Sequence, residues 1–203
     1  MSKAVLWCNG DIPSIGLVKS LIDDNVPVFG IDGGADIAKL MKIEIKSVIG
    51  DLDSVDIVKW ENKTKQIVNQ EMSDLGKSIN YLLENGMKEV DILGIDGGSP
   101  EHILAIWGNL AELSGNIKIR LHHEFRITER IHPNEGLFEI FIDTDEEFSI
   151  FALTPCKKLY LKGSKWEIKG NELGLSSIGL HNVGLGNKIS IIADGIIALI
   201  TKR

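Results

Sequence analysis

Two rhythms of apolar and polar positions divide the chain. Up to about Leu121, short apolar runs alternate with stretches whose apolar residues recur every three or four positions, so strands should alternate with helices. The strand candidates are Ala4–Cys8, Val28–Ile31, Ser47–Ile49, Gln66–Val68 and Val90–Leu93. Ser14 can cap a helix carrying Ile15, Val18, Leu21 and Ile22 on one face, and Asp36–Met41 is a shorter helix. Ser73 opens a third with Leu75, Ile79, Leu82 and Leu83 aligned, closed by Asn85-Gly86. Ser99 and Pro100 open a fourth that runs through Leu113, with Ile103, Leu104, Trp107 and Leu110 as its expected buried stripe. This alternation predicts an α/β domain with a mostly parallel, Rossmann-like sheet.

After Leu121 the apolar positions alternate at every second residue. Arg126–Ile131, Leu137–Ile142, Glu147–Leu153, Lys158–Lys162, Lys188–Ala193 and Ile196–Thr201 are strand candidates with no helix between them. His132-Pro133-Asn134-Glu135-Gly136 and Asp194-Gly195 read as hairpin turns. The second half is therefore expected to be an all-β antiparallel sandwich, with domains at 1–123 and 124–203. His122-His123 is expected to end a strand at the surface.

Hydrophobic residues at 43% and charged ones at 25% suit a folded chain and not a disordered one. A net charge of -7 argues against nonspecific nucleic-acid binding, which needs clustered Lys and Arg. Cys8 and Cys156 stand far apart, which speaks against a disulfide framework or a zinc site and for a reducing, cytoplasmic setting. The N-terminal apolar run is too short for a signal peptide. The apolar stretch Ile189–Ile200 is broken by Asp194-Gly195 and cannot span a bilayer.

Four carboxylate-bearing turns follow the strand-like runs: Asp32-Gly33-Gly34, Gly50-Asp51-Leu52-Asp53-Ser54, Glu71-Met72-Ser73-Asp74 and Gly98-Ser99-Pro100-Glu101-His102. In an open α/β sheet such turns gather at the carboxyl ends of the strands, where ligands bind. Asp51 and Asp53 flank one residue after a strand and repel each other, so a cation is a sensible third party. Acids in a helix's first turn, such as Asp74 and Glu101, are favoured by the macrodipole whatever their function. Gly33-Gly34 and Gly97-Gly98 offer open backbone N–H groups for phosphate, or simply tight turns. Neither segment matches a Walker A loop or the G-x-G-x-x-G pattern, and no nucleophile elbow is present.

Taken in order, these turns resemble the thiamine pyrophosphokinase family. The matching stretches are Asp32-Gly33-Gly34-Ala35, Gly50 through Ser54, Glu71 through Asp74, and Gly97-Gly98 with Glu101-His102 leading to Asn109. In the second half, Phe148–Leu153, Gly163-Ser164-Lys165-Trp166, and Ser176-Ser177 through His181-Asn182 are similar to further family segments.

The resemblance implies magnesium-dependent transfer of pyrophosphate from ATP to thiamine by a homodimer. It places Asp51, Asp53 and Asp74 around the metal, with Glu101 beside them. Asp32, Gly33, Gly34, Ser54, Glu71, Ser73, Lys77, Gly97, Gly98 and His102 then lie along the nucleotide. Trp166, Ser177, His181 and Asn182 would contact the acceptor, Trp166 either as a cation face or as part of an apolar core.

The chain departs from the family pattern at Leu52 (Phe), Glu71 and Glu101 (Asp), Asp36 (Asn), Gly76 (a helix former) and His181 (Ser). Two alternatives therefore stand beside the leading one. One is a pyrophosphokinase for another heterocyclic alcohol, such as a hydroxymethylpterin. The other is a nucleotide-binding protein of the same fold without turnover.

Overall fold

The structure, a computed structural model, describes residues 2–53, 55 and 57–203. The chain forms two compact units, residues 1–124 and 125–203.

Among the described residues the first unit has six parallel strands: β1 (Lys3–Trp7), β2 (Val28–Ile31), β3 (Ser47–Gly50), β4 (Thr64–Gln66), β5 (Glu89–Leu93) and β6 (Lys118–His122). Their spatial order is β4-β3-β2-β1-β5-β6. The chain thus builds outward from β1 in one direction and later returns to add β5 and β6 on the other side. Helices α1 (Ile15–Leu21) and α2 (Gly34–Leu40) cover one face over Val5, Trp7, Val28 and Val48. Ala4, Leu6, Ile49, Val90 and Ile92 point the opposite way and are also buried. The sheet is therefore covered on both faces, as a parallel sheet must be.

Helices α3 (Asp74–Glu84) and α4 (Pro100–Glu112) complete the unit. Ser14 and Ser73 cap α1 and α3 as expected, accepting from the Leu17 and Gly76 N–H groups. The apolar stripe of α4 differs from the expected one. Ile103 and Leu104 are 41% and 70% exposed, whereas Asn109 and Leu110 are buried. Along its first turns α4 turns His102, Ala105, Ile106 and Asn109 to a cleft at the strand ends, and Ile103 and Leu104 face away. Strand β4 lies two residues earlier than expected, paired through Val48 and Thr64, and leaves Val68 exposed.

His122 is not at the surface either. It is buried, and its Nε2 lies 2.8 Å from Asp91 Oδ1. Asp91 also meets Arg120 Nε at 2.8 Å and Lys3 Nζ at 2.5 Å. This polar cluster sits on the same side of the strands as Val5 and Trp7, because alternate residues of a strand share a face.

The second unit is all β: β7 (Arg126–Ile131), β8 (Phe138–Ile142), β9 (Glu147–Ala152), β10 (Cys156–Lys162), β11 (Ile168–Leu173), β12 (Asn182–Val183), β13 (Asn187–Ala193) and β14 (Ile197–Lys202). Strands β12, β9, β14 and β7 pair antiparallel in that order, as do β11, β10, β13 and β8. Inward residues of both sheets, including Phe148, Leu199, Leu161 and Ile191, form one core.

Both expected hairpins are instead crossings between the two sheets. Residues 132–136 join β7 to β8, and Asp194-Gly195 joins β13 to β14. Neither Asp194 nor Gly195 takes the positive φ that a type I′ turn requires. The corner is clamped from outside, with the Asp194 carboxylate accepting from Lys158 N–H and the Thr154 hydroxyl from Ile196 N–H. A Cβ at Gly195 would stand 2.5 Å from Cys156 Sγ, so only glycine fits there. The hairpin that does form joins β10 to β11 through residues 163–167. The polar sequence of β11 and its left-handed Gly170 hid that strand from the pattern.

Candidate functional site

The carboxyl ends of β2 and β3 and the start of α3 bring three carboxylates together. One oxygen each from Asp32, Asp51 and Asp74 lies within 4.8 Å of the others. Backbone geometry assembles the set. Asp32 ends β2 in the left-handed region at φ 43, and its Oδ1 accepts the Leu52 N–H at 3.2 Å. A Cβ at Gly50 would stand 2.2 Å from that same oxygen, so β3 must end in glycine for Asp32 to fit. Leu52 takes φ 69, a strained conformation costing about 1 kcal/mol or more, held by that hydrogen bond and by burial of its side chain.

Asp51 donates its N–H to Asp74 Oδ1 at 3.2 Å, and Gln66 holds the Asp51 carbonyl at 3.0 Å. Asp74 sits in the first turn of α3, where the macrodipole favours it, and pairs with the buried Lys77 ammonium at 2.8 Å. Burial pushes the Asp32 carboxyl up to about 7, and the neighbouring Asp74 charge pushes the same way. Smaller contributions from Asp51 and Asp53 add to this against the Leu52 hydrogen bond. Three crowded carboxylates are electrostatically frustrated until a cation joins them. An all-oxygen donor set of this kind fits a hard divalent ion such as magnesium.

Asp53 is exposed and is not one of the three. Its N–H donates to Asp51 Oδ1 at 3.3 Å, and its charge reaches Asp32 only at a distance. Ser54 lies outside the described residues. Glu71 is exposed, with its N–H on Asn69, and Glu101 is exposed on α4 outside the carboxylate set.

Beside the carboxylates a cleft of about 310 Å³ runs between the ends of β1 and β5. Ser73, Asp74, Gly97, Gly98, His102 and Asn109 line it. Gly97 and Gly98 are both left-handed, and Gly98 has open space where a side chain would be. Gly33 and Gly34 are glycine for packing, since a Cβ would meet the Asn9 side chain at 2.8 Å and the Trp7 carbonyl at 2.2 Å. Cys8 also lines the cleft. Burial pushes its thiol up to about 12, so the free thiol stays protonated at neutral pH.

Asn109 and Asp36 carry more structure than the pattern revealed. Asn109, 3% exposed, accepts from the Ser73 hydroxyl at 2.9 Å and donates to the Ala105 carbonyl at 2.7 Å. The Ser73 oxygen then caps α3 through Gly76 N–H, so Asn109 braces the turn that presents Asp74. Asp36 accepts from Trp60 Nε1 at 2.9 Å and ties down the segment after the Asp51 loop.

The helix-interior Gly76 is explained by the same contact, because a Cβ there would stand 2.6 Å from Asn109 Oδ1 and from Met72 Cγ. Gly76→Ala is therefore expected to destabilise by about 1–2 kcal/mol, overpacking outweighing the better helix preference. Combined with Asn109→Ala the cost should fall short of the sum, as denaturant titration of the four proteins would show. A Gly76→Ala protein more stable than its parent would remove this account.

In the second unit, Trp166, His181 and Asn182 line a separate cleft of about 400 Å³. Trp166 is 54% exposed, so it is not a core residue, and Lys165 Nζ stands 4.7 Å from its ring centre. Asn182 is buried and holds the turn, donating to the Trp166 carbonyl at 2.7 Å and accepting from Trp166 N–H at 3.2 Å. His181 is exposed at φ 55, near Glu147. Ser177 is exposed and does not line this cleft.

The chain thus has an α/β unit that gathers three carboxylates able to hold a metal ion beside a glycine-lined strand-end cleft, with an all-β unit following. Residues 18–121, just over half of the chain, match the family model described as thiamin pyrophosphokinase, catalytic domain. The chain belongs to the thiamin pyrophosphokinase family. Solved structures with similar folds include the thiamine pyrophosphokinase of Bacillus subtilis (TM-score 0.82, 20% identity, 98% of each chain covered). That of Candida albicans aligns with TM-score 0.80 at 14% identity, over 98% of this chain and 89% of that one. The yeast enzyme aligns with TM-score 0.72 at 18% identity, over 100% and 86%. No curated protein matches the chain by sequence. Family membership makes the protein a transferase of the kinase type. No helix among the described residues is long and apolar enough to cross a membrane.

Proposed function

We propose that the protein is a thiamine pyrophosphokinase of the cytoplasm, a homodimer that transfers pyrophosphate from ATP to thiamine and releases AMP. The observation that carries this reading is the Asp32–Asp51–Asp74 set, whose charges crowd within 4.8 Å at the rim of a cleft with open backbone. Asp51 and Asp74 would hold magnesium, with Asp32 behind them. The ion, when bound, supplies neutralisation of triphosphate charge.

The chain's own residues supply the positioning. Lys77, fixed by Asp74, keeps a positive charge near the phosphates. Gly98 lets backbone approach them, and Asn109 with Ser73 holds the start of α3 in place. The exposed face of Trp166 suits a cationic ring, as its contact with Lys165 already illustrates. In the reaction, the thiamine hydroxyl oxygen bonds to the β-phosphorus as the bond to the α–β bridging oxygen breaks; the electron pair leaves with AMP and the hydroxyl proton passes to solvent. Alignment and charge neutralisation carry most of such a step.

Incubation with ATP, magnesium and thiamine, followed by chromatography, should give equimolar AMP and thiamine diphosphate. ADP as product would make the protein an ordinary kinase instead. Turnover with a hydroxymethylpterin but not thiamine would change the acceptor, and ATP binding without AMP formation would favour the non-catalytic alternative.

A further inference from the structure

Of the three crowded carboxylates, Asp32 directly follows β2 and Asp74 opens α3, so regular elements support both. Asp51 stands on the connection from β3 to β4, and the next residue, Leu52, is left-handed at φ 69. A strained residue of this kind keeps its conformation only where its surroundings over-determine it.

The connection is tied to the stretch from Asp32 into α2 at three points. Asp32 Oδ1 accepts the Leu52 N–H at 3.2 Å. Four residues on, Asp36 Oδ1 accepts the Trp60 Nε1–H at 2.9 Å. One turn later, Lys39 Nζ stands 4.9 Å from the centre of the same indole. The start of α2 is a fixed platform for these contacts. A Cβ at Gly30 would stand 2.4 Å from Ala35 Cβ, and one at Gly34 would stand 2.2 Å from the Trp7 carbonyl oxygen.

Trp60 is buried in one cluster with Leu52, Val55, Ala35 and Ala38. Its carbonyl accepts the Lys63 N–H at 2.8 Å, directly before β4. Trp60 therefore anchors the far end of the connection, as the Leu52 N–H anchors the near end. Burial alone does not fix the direction of an indole ring, whereas its N–H needs an acceptor. A carboxylate makes a stronger bond than a neutral amide would. Asp36 is not one of the three clustered carboxylates, so its charge is free for this task.

Resting on the cation reading of Asp32, Asp51 and Asp74, we propose that Asp36 and Trp60 are a positioning pair for the divalent ion. Their hydrogen bond holds the Leu52 turn from its far end and keeps the Asp51 carboxylate facing Asp32 and Asp74 before an ion arrives. Neither residue touches the ion or a substrate. Once the bond is lost, Leu52 relaxes, its N–H leaves Asp32, and ion binding has to restore the turn.

Manganese(II) shares magnesium's preference for carboxylate and water oxygens and serves as the probe. Electron paramagnetic resonance of free Mn²⁺ measures its uptake by the whole protein without nucleotide or acceptor. Trp60→Phe keeps a buried ring and removes the N–H. It should bind Mn²⁺ roughly tenfold more weakly, the usual cost of removing an outer partner of a metal site. Asp36→Ala should lose a similar factor, and the double variant no more than either alone, because the two residues share one bond. Asp36→Asn keeps an acceptor and should stay within about threefold of the parent.

Parental Mn²⁺ affinity in Trp60→Phe and Asp36→Ala, with only a lower melting temperature, would make the pair structural and overturn the proposal. Losses that multiply in the double variant would overturn it too. A parent protein that takes up Mn²⁺ and forms no thiamine diphosphate refutes the proposed function and leaves the pair standing. A parent that takes up no Mn²⁺ overturns the cation reading on which both rest.

Discussion

The Asp51→Asn protein is expected to lose pyrophosphoryl transfer by roughly a thousandfold, while the magnesium-free protein melts no lower than its parent. The amide is nearly isosteric with the carboxylate. It keeps the hydrogen bond from Asp53 N–H, and the backbone bonds to Asp74 and from Gln66 do not involve the side chain. What disappears is one of three crowded negative charges. Without a cation that loss relieves repulsion, which already contributes to raising the Asp32 carboxyl. In catalysis it removes a proposed ligand of the ion expected to supply several kcal/mol of charge stabilisation, and each ~1.4 kcal/mol is a factor of ten in rate. Steady-state AMP formation and thermal melting, measured on one preparation, separate the two effects. A fully active Asp51→Asn enzyme would end the metal assignment.

The largest stability effect should come from Asp91→Ala, at about 3–5 kcal/mol. Asp91 is fully buried and is shared by His122, Arg120 and Lys3. Its removal leaves the buried His122 ring beside a void without the Asp91 acceptor, while the half-buried Arg120 keeps its pairing with Glu89 at 2.9 Å. Burial by itself would push the Asp91 carboxyl up, but hydrogen bonds from His122, Arg120 and Lys3 outweigh it and hold the group well below the usual carboxylate range.

The sign of the pH dependence follows. A lowered folded-state pKa gives stability that is complete above the unfolded value of ~4 and drains away as pH falls below it. Urea midpoints measured from pH 6 downward should therefore drop in the parent and change less in Asp91→Ala. Equal midpoints for parent and variant at pH 6 would show that the buried cluster contributes nothing net.

Parts of this site were legible without coordinates because they rest on local chemistry. Ser73 at the head of an apolar-periodic run is a capping signal, and the cap puts Asp74 in the first turn with no help from the rest of the fold. The Gly50–Asp53 turn was equally plain, but its internal geometry was not. Two acids separated by one residue should share a side of a strand. Leu52 breaks that rule by turning left-handed, and Asp51 faces the cluster while Asp53 does not join it. Asp32 takes Asp53's expected place because it ends a neighbouring strand, a relation set by sheet order and invisible along the chain.

The same distinction runs through the architecture. Period and capping were enough to locate β1, β2, β3 and β5 to within a residue and three of the four helix starts, since each depends on neighbours within a few positions. The face of α4 that would be buried, the partner of Asp91 on the next strand, and the sheet that receives β14 after Asp194-Gly195 depend on residues dozens of positions away. Hydrophobic period specifies that a segment must bury one side. Only packing of the whole chain decides against what, and that choice brings Asp32, Asp51 and Asp74 within reach of one ion.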